Sequence, residues 1–309
     1  MPASPSRLPP LVLACLAATW LVWGSTYLAI KFALVSFPPF FQMGTRFLAA
    51  GVLLAAWMRW RGAPWPDARQ WRHAFIVGAL MLGGGMGCTA LAETTVGSGL
   101  VVAFIAIGPL LITLMSLPFG VRPARAEAAG IAVGFAGVVM LVQGQGFGGS
   151  PAGLVAMLIA TSSWALGSVL SQRRYPLAPG AMGFASEMLA GGLVLMAIAL
   201  VRGESPQWPP TAGAVAAWIY LVVAGSLIGF NAYMVLLART TPALASSYSF
   251  VNPVIALLLG VGLAGEVVTG WEWLASGVIV AGVVLLVLGR RGVKEAGTER
   301  GTERGAARQ

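Results

Sequence analysis

The chain has 309 residues, 58% of them hydrophobic and only 9% charged, with a mean hydropathy of +0.83. A soluble domain carries about a quarter charged residues, so this composition excludes a soluble globular domain and a disordered chain alike. The net charge of +9 sits in short joints and a C-terminal tail, which excludes a nucleic-acid-binding face. The chain has two cysteines, Cys15 and Cys88, and one histidine, His73; that count excludes a disulfide framework and a cysteine-ligated metal site.

Apolar runs of about 20 residues match a bilayer core of ~30 Å at ~1.5 Å rise per residue. An outer-membrane barrel is excluded, because its strands alternate polar and apolar residues instead of running solid. Arg7 followed by an apolar run resembles a signal peptide, and Leu13-Ala14-Cys15 faintly resembles a lipoprotein cleavage site. The stretch before Cys15 is too short for that role and the run continues to Ile30, so it is kept as a spanning helix.

Ten spans are predicted in chain order. The first five are Leu11–Ile30, Phe40–Met58, Ala74–Ala92, Gly97–Phe119 and Ala126–Val142. The second five are Ala152–Leu170, Ala181–Val201, Ala214–Leu237, Ala243–Ala264 and Trp271–Leu288. This divides the chain into a cytoplasmic N-terminus (1–10), a first five-helix unit (11–143), a linker (144–151), a second unit (152–289) and a basic tail (290–309). The tail repeats Gly297-Thr298-Glu299-Arg300 at Gly301-Thr302-Glu303-Arg304 without an apolar face, the pattern of a solvated disordered segment.

Placing the N-terminus in the cytoplasm puts nearly all Lys and Arg on the cytoplasmic side. Only Lys31 and Arg202 fall opposite, and Arg46 lies inside a span. Cytoplasmic loops are the ones enriched in these residues, so both termini are expected in the cytoplasm of a bacterial inner-membrane protein.

The two halves resemble each other. Ala136-Gly137-Val138-Val139-Met140-Leu141-Val142 matches Ala281-Gly282-Val283-Val284-Leu285-Leu286-Val287 at all but one position. Gly24-Ser25 corresponds to Gly167-Ser168, Arg46-Phe-Leu-Ala-Ala-Gly51 to Glu187-Met-Leu-Ala-Gly-Gly192, and Pro109 to Pro253. Five spans per half is an odd number, so the second half must insert upside down. Inverted repeats place a binding site near the midplane, where the halves meet. The expected fold class is thus an all-α membrane protein of ten transmembrane helices in two inverted five-helix repeats.

Trp23-Gly24-Ser25-Thr26-Tyr27, Arg46-Phe47-Leu48-Ala49-Ala50-Gly51 and Ser163-Trp164-Ala165-Leu166-Gly167-Ser168 resemble the EamA family of the drug/metabolite transporter superfamily. Asn231-Ala232-Tyr233-Met234, Pro242-Ala243-Leu244-Ala245, Tyr248 and Val251-Asn252-Pro253 resemble its YedA-type inner-membrane permeases. The resemblance covers nearly the whole chain except the tail. It implies a ten-helix exporter of small metabolites or toxic analogues built from two EamA repeats, and leaves the cargo open.

Arg46 and Glu187 lie several residues inside apolar spans, at equivalent repeat positions and with opposite charge. A charge near the membrane centre costs ~2.5–3.5 kcal/mol on insertion scales, so it normally faces a partner or a cavity. An ion pair, direct or through substrate, is one expectation, with Glu187 as a proton-coupling carboxylate; snorkelling of Arg46 and backbone contacts to Glu187 are the other. Glu93 and Glu266 close two spans on the outer side, as interfacial carboxylates or as gate and proton-entry groups. Glu127 and Glu272 read as helix N-terminal charges favoured by the dipole.

Trp20, Trp23 and Tyr27 share one helical face, either as a wall for aromatic or cationic cargo or as packing; Trp164 is their approximate counterpart in the second half. Pro109 and Pro253 each remove a helix hydrogen bond, freeing the carbonyls of Ile105 and Ser249. Tyr248 and Asn252 add polar groups beside the second kink, and cavity lining is expected there. Asn231 is expected to hydrogen-bond between helices, with cargo contact as the lesser reading. Gly83-Gly84-Gly85-Met86-Gly87 and Gly130 with Gly134 let backbones approach, within one chain or between two copies in a homodimer.

With two lysines, Lys31 and Lys294, and no Gly-Lys-Ser/Thr run, no Walker A loop can be built. Val96-Gly97-Ser98-Gly99 holds a serine in a glycine setting, yet His73 belongs to the opposite face, so hydrolysis by that pair is not expected. No cofactor, metal or catalytic residue is expected. The partners are a small-molecule substrate and the lipid bilayer. The reading is a secondary-active exporter of amino-acid-like or cationic compounds, driven by the proton gradient; a lipid-linked headgroup flippase and a membrane sensor without transport are the alternatives.

Overall fold

The computed structural model describes residues 8–96, 101, 104–143, 150–252, 254, 255, 258, 269–271 and 273–285. Residues 1–7, the serine setting at 97–99, most of the linker, Pro253, Glu266, Glu272 and the tail lie outside the described residues. The elements among the described residues are all helical. They are α1 (Pro10–Ala33), α2 (Pro39–Trp60), α3 (Ala68–Ala92), α4 (Phe104–Phe119), α5 (Arg125–Val142), α6 (Pro151–Arg173), α7 (Ala181–Val201) and α8 (Ala212–Arg239). Then come α9, which starts at Pro242–Ala245 and is helical again over 248–252, and α10 (Trp273–Leu285). Among the described residues α1, α2, α3, α6, α7 and α8 are long and apolar enough to cross a membrane, and α4 and α10 are shorter apolar helices.

Local sequence sets the helix ends. Pro10, Pro39 and Pro151 occupy first-turn positions, where the missing N–H would have had no helical partner. Asp67 and Gln70 form a capping box, with Gln70 N–H donating to Asp67 Oδ1 at 2.7 Å and Asp67 N–H donating to Gln70 Oε1 at 2.9 Å. Ser150 and Thr211 cap α6 and α8 through side-chain oxygens. Glu127 accepts the Ala124 N–H at 3.1 Å, the N-terminal role expected of it. α2 and α7 end alike. Gly62 and Gly203 take left-handed φ of 82° and 66°, and the next N–H in each case returns to a carbonyl one turn inside, Ala63 to Met58 and Glu204 to Ala199, both at 2.9 Å.

The outward faces are apolar. Leu21, Val52, Leu53, Leu158, Leu193 and Leu200 are exposed, and Trp57, Trp60 and Trp208 stand exposed near helix ends. A monomeric soluble protein does not present so continuous an apolar surface; a bilayer covers it, with indoles at the headgroup level.

Two helix pairs cross in a reciprocal way. On α2 and α7, Gly44 faces Met196, Gly51 faces Leu189, and Gly192 faces Leu48; a Cβ on any of these glycines would come within 2.7–2.9 Å of the facing side chain. One index rises as the other falls, so the helices are antiparallel. On α5 and α10, Gly137 faces Ile279 and Gly282 faces Gly134 and Gly130. These glycines therefore mediate contacts within the chain.

α3 and α8 share a second feature. Each widens in its middle to a π-helical winding, over Ala79–Gly87 and Leu221–Phe230. Such windings inside α-helices cluster at functional sites.

Candidate functional site

The wide windings receive the indoles of α1 and α6. Trp23 donates its Nε1–H to the Gly225 carbonyl at 3.1 Å, and a Cβ at Gly229 would fall 2.5 Å from that nitrogen. Trp164 lies against Gly85 of α3, where a Cβ would sit 3.0 Å from its ring. Each indole thus rests on the winding of the opposite half of the chain, and only glycine leaves it room.

Between them the rings close into a box. Trp23 lies 5.6 Å from Trp164, 5.2 Å from Tyr233 and 4.7 Å from Tyr248, ring centre to ring centre. Trp164 lies 5.2 Å from Tyr233, and Tyr233 lies 5.4 Å from Tyr248. Most of these contacts are edge-to-face or tilted, the preferred arrangements of quadrupolar rings. The Tyr233 hydroxyl bonds the Ser168 hydroxyl at 2.9 Å. The Trp164 N–H lies near the Tyr233 and Tyr248 hydroxyls but completes a hydrogen bond with neither.

A cavity of about 60 Å³ opens on one side of this box, lined from α1, α3, α4, α6 and α9. Trp23, Tyr27, Trp164 and Tyr248 are part of its wall, together with Thr26, Thr89 and Thr161. On the other side, a cavity of about 450 Å³ lies where α6 and α8 end, lined by Gln172, Phe184, Met234 and Leu237 among others. The Ser168–Tyr233 bond stands between the two, and one turn further along Gln172 donates its side-chain N–H to the Leu237 carbonyl.

Four of the expected wall residues, Trp23, Tyr27, Trp164 and Tyr248, are thus brought together. Trp20 is not among them: its indole N–H bonds Ser247 at 3.1 Å, tying α1 to α9. Asn252 is buried, both side-chain polar atoms lack a hydrogen bond, and its amide lies beside Tyr27. Asn231 corrects the expectation of an interhelical bond. Its Nδ2 turns back to the carbonyls of Leu227 and Ser226 at 2.9 and 3.3 Å, groups of its own winding that a regular α-helix would engage itself. Pro109 sits at the second residue of the segment Gly108–Ser116, just past a turn at Ile107. The interruption places Ile105 and Gly108 in the cavity wall.

Arg46 and Glu187 are fully buried but do not pair. Arg46 Nε donates to Ser226 at 2.8 Å, and its guanidinium lies 4.8 Å from the Phe47 ring. Both Glu187 oxygens lack a hydrogen bond. The reason is geometric: on antiparallel helices, equivalent positions stand on opposite sides of the crossing, here roughly 10 Å apart along the helix axes at ~1.5 Å per residue. Neither side chain snorkels, since both are buried. Glu93, at the end of α3, keeps one oxygen unpaired near Lys31 and Tyr27.

Tyr233, Ser168 and the three threonines were not singled out as site residues by sequence reasoning. Tyr233, Thr26 and Ser168 carried a signal, since each stands in one of the quoted runs; Thr89 and Thr161 carried none, because small hydroxyl residues are common packing partners in membrane helices.

Comparison with known proteins agrees with this architecture. The profile of the EamA-like transporter family matches residues 9–143 and again 151–288. The chain is 44% identical over 276 residues to the uncharacterized inner membrane transporter YedA of Escherichia coli K12, covering 89% of this chain and 90% of that one. It is 28% identical to the protein PecM of Dickeya dadantii, over 88% of this chain and 93% of that one. A probable amino-acid metabolite efflux pump of Escherichia coli K12 is 23% identical, over 87% and 92% of the two chains. One crystal structure superposes with a TM-score of 0.74 at 24% identity, over 92% of this chain and 98% of the other, a likeness of fold. The chain belongs to the EamA-like transporter family.

Proposed function

We propose that this protein is a secondary-active exporter of small amino-acid-like or cationic compounds in the inner membrane, working by alternating access between two inverted five-helix repeats. The observation that carries the reading is the pair of cavities on either side of the aromatic box, separated by the Ser168–Tyr233 bond. The family profile matches once in each half, and α2 against α7 and α5 against α10 meet through corresponding residues in antiparallel. Both support a pseudo-two-fold arrangement of ten spans. With both termini in the cytoplasm, the larger cavity is the inner vestibule and the smaller one lies outward of the box.

One water occupies ~10–15 Å³ of such space, so a cavity of about 60 Å³ holds a few waters and no cargo. Cargo therefore enters only when the seam between α6 and α8 parts, breaking the Ser168–Tyr233 and Gln172–Leu237 contacts, and leaves when the outer side opens instead. Glu187 is the proton-coupling group in this scheme. It is buried beside the box without a hydrogen-bond partner, so its protonation is free to follow the conformation. Glu93, near the outer end, is the proton-entry group.

The test is a flux screen in proteoliposomes over amino acids and cationic dyes, with and without an imposed pH gradient. Gradient-dependent flux of at least one compound is expected, together with its loss in Glu187→Gln. Full gradient-driven flux in that variant would remove Glu187 from the coupling step, and absence of any flux would defeat the transport reading.

A further inference from the structure

The cavity outward of the aromatic box has a chemical bias that narrows its cargo, an inference that rests on reading this cavity as the transport site. Its three threonine hydroxyls all donate to carbonyls of their own helices: Thr26 to Trp23 at 2.9 Å, Thr89 to Gly85 at 2.9 Å, and Thr161 to Met157 at 2.8 Å. A hydroxyl has one hydrogen and two lone pairs. With the hydrogen bonded backwards along the helix, each threonine presents the cavity with acceptor lone pairs. Trp23, Tyr27, Trp164 and Tyr248 add ring faces and edges, and among the described residues no Lys, Arg, Asp or Glu lines the space.

Among the described residues, the nearest charges stand behind the wall or at its outer end. Arg46 is turned to Ser226, and Glu187 lies beyond Tyr233. They carry opposite formal charge and lie on opposite sides of the α2–α7 crossing. Glu93 and Lys31 offset each other near Tyr27. A carboxylate in this cavity would meet threonine lone pairs, negative ring faces and, as donors, only the neutral Trp164 N–H and the Tyr27 and Tyr248 hydroxyls, with no cation from the described residues of the wall. An ammonium or protonated ring nitrogen would meet threonine lone pairs and the ring quadrupoles that attract cations.

We infer that this space, once widened by the parting of the α6–α8 seam, selects organic cations with an apolar or aromatic body and discriminates against carboxylates. Cargo of the amino-acid type then binds through its ammonium and ring, with its carboxylate the unfavourable part.

The test uses the purified full-length protein in detergent and calorimetric titration with three probes of the same carbon count: phenethylamine, 2-phenylethanol and phenylacetate. Phenethylamine is expected to bind at least about tenfold more tightly than either of the others. Thr161→Val keeps the side-chain shape and removes the acceptor; it is expected to narrow the ratio of amine to alcohol affinity, whereas a purely structural change would weaken both together. Equal or tighter binding of the alcohol or the carboxylate overturns the inference, as does an unchanged ratio in the variant. So does the absence of binding by all three probes in a preparation that carries flux of another compound. A preparation with no flux for any compound in the screen overturns the transport reading itself, a separate result.

Discussion

At the scale of single residues, the site is defined by polar groups left without partners or tied across the box. Glu187 is the sharpest case. A fully buried carboxyl with no hydrogen bond is unfavourable to the fold, so its neutral isostere removes a burden instead of a contact. Glu187→Gln is accordingly expected to unfold in detergent at the same midpoint as the parent or higher, while gradient-driven flux falls; a marked drop in the midpoint would assign Glu187 a structural role. Tyr233→Phe removes one hydroxyl and keeps the ring. Ser168 retains its own bond to the Trp164 carbonyl at 2.8 Å, so the stability loss is expected to be about 0.5–1.5 kcal/mol. Because the lost bond closes the seam, cargo counterflow should become several-fold faster, measured in proteoliposomes against the parent protein.

At the scale of elements, hydropathy and punctuation made the helices legible, and facing remained hidden. The seventh span was expected at Ala181–Val201 and lies there; the third was expected to start at Ala74 and starts at Ala68, because the Asp67–Gln70 capping box extends it through a polar first turn. Which faces turn inward could not be read from periodicity, since lipid is as apolar as a helix interior and every face of such a helix is hydrophobic. For this reason Trp20 read as a wall residue beside Trp23, although one turn of helix carries it away to Ser247. The π windings had no sequence signature beyond glycine, so the inward turn of Asn231 was also out of reach. The repeat was legible because glycines at close crossings cannot be exchanged without strain. Gly51→Val at the α2–α7 crossing should destabilise the fold by about 1–3 kcal/mol, read as a lower unfolding midpoint in detergent, with Gly137→Val at the α5–α10 crossing acting alike.

At the scale of the whole molecule, orientation and repeat make one joint prediction. A cysteine-free background is accessible, since Cys15 is buried and Cys88 half-buried and neither is disulfide-bonded. Single cysteines at Gly62 and Trp208, after α2 and after α7, should then label from opposite sides of the membrane with an impermeant maleimide in intact cells and inverted vesicles. Labelling of both from one side would contradict the inverted arrangement, because these helices are the corresponding members of the two proposed repeats.

The reciprocal crossings have an evolutionary corollary. In a symmetric homodimer, a substitution at such a crossing is felt twice, once from each subunit, so both sides of the contact change together. In a single chain that carries both copies, each position mutates alone. In the proposed two-repeat arrangement Arg46 and Glu187 occupy equivalent positions with opposite charges, and one indole is anchored to a carbonyl while its counterpart is not. Covalent fusion of the halves thus permits a division of labour that two identical subunits could not encode.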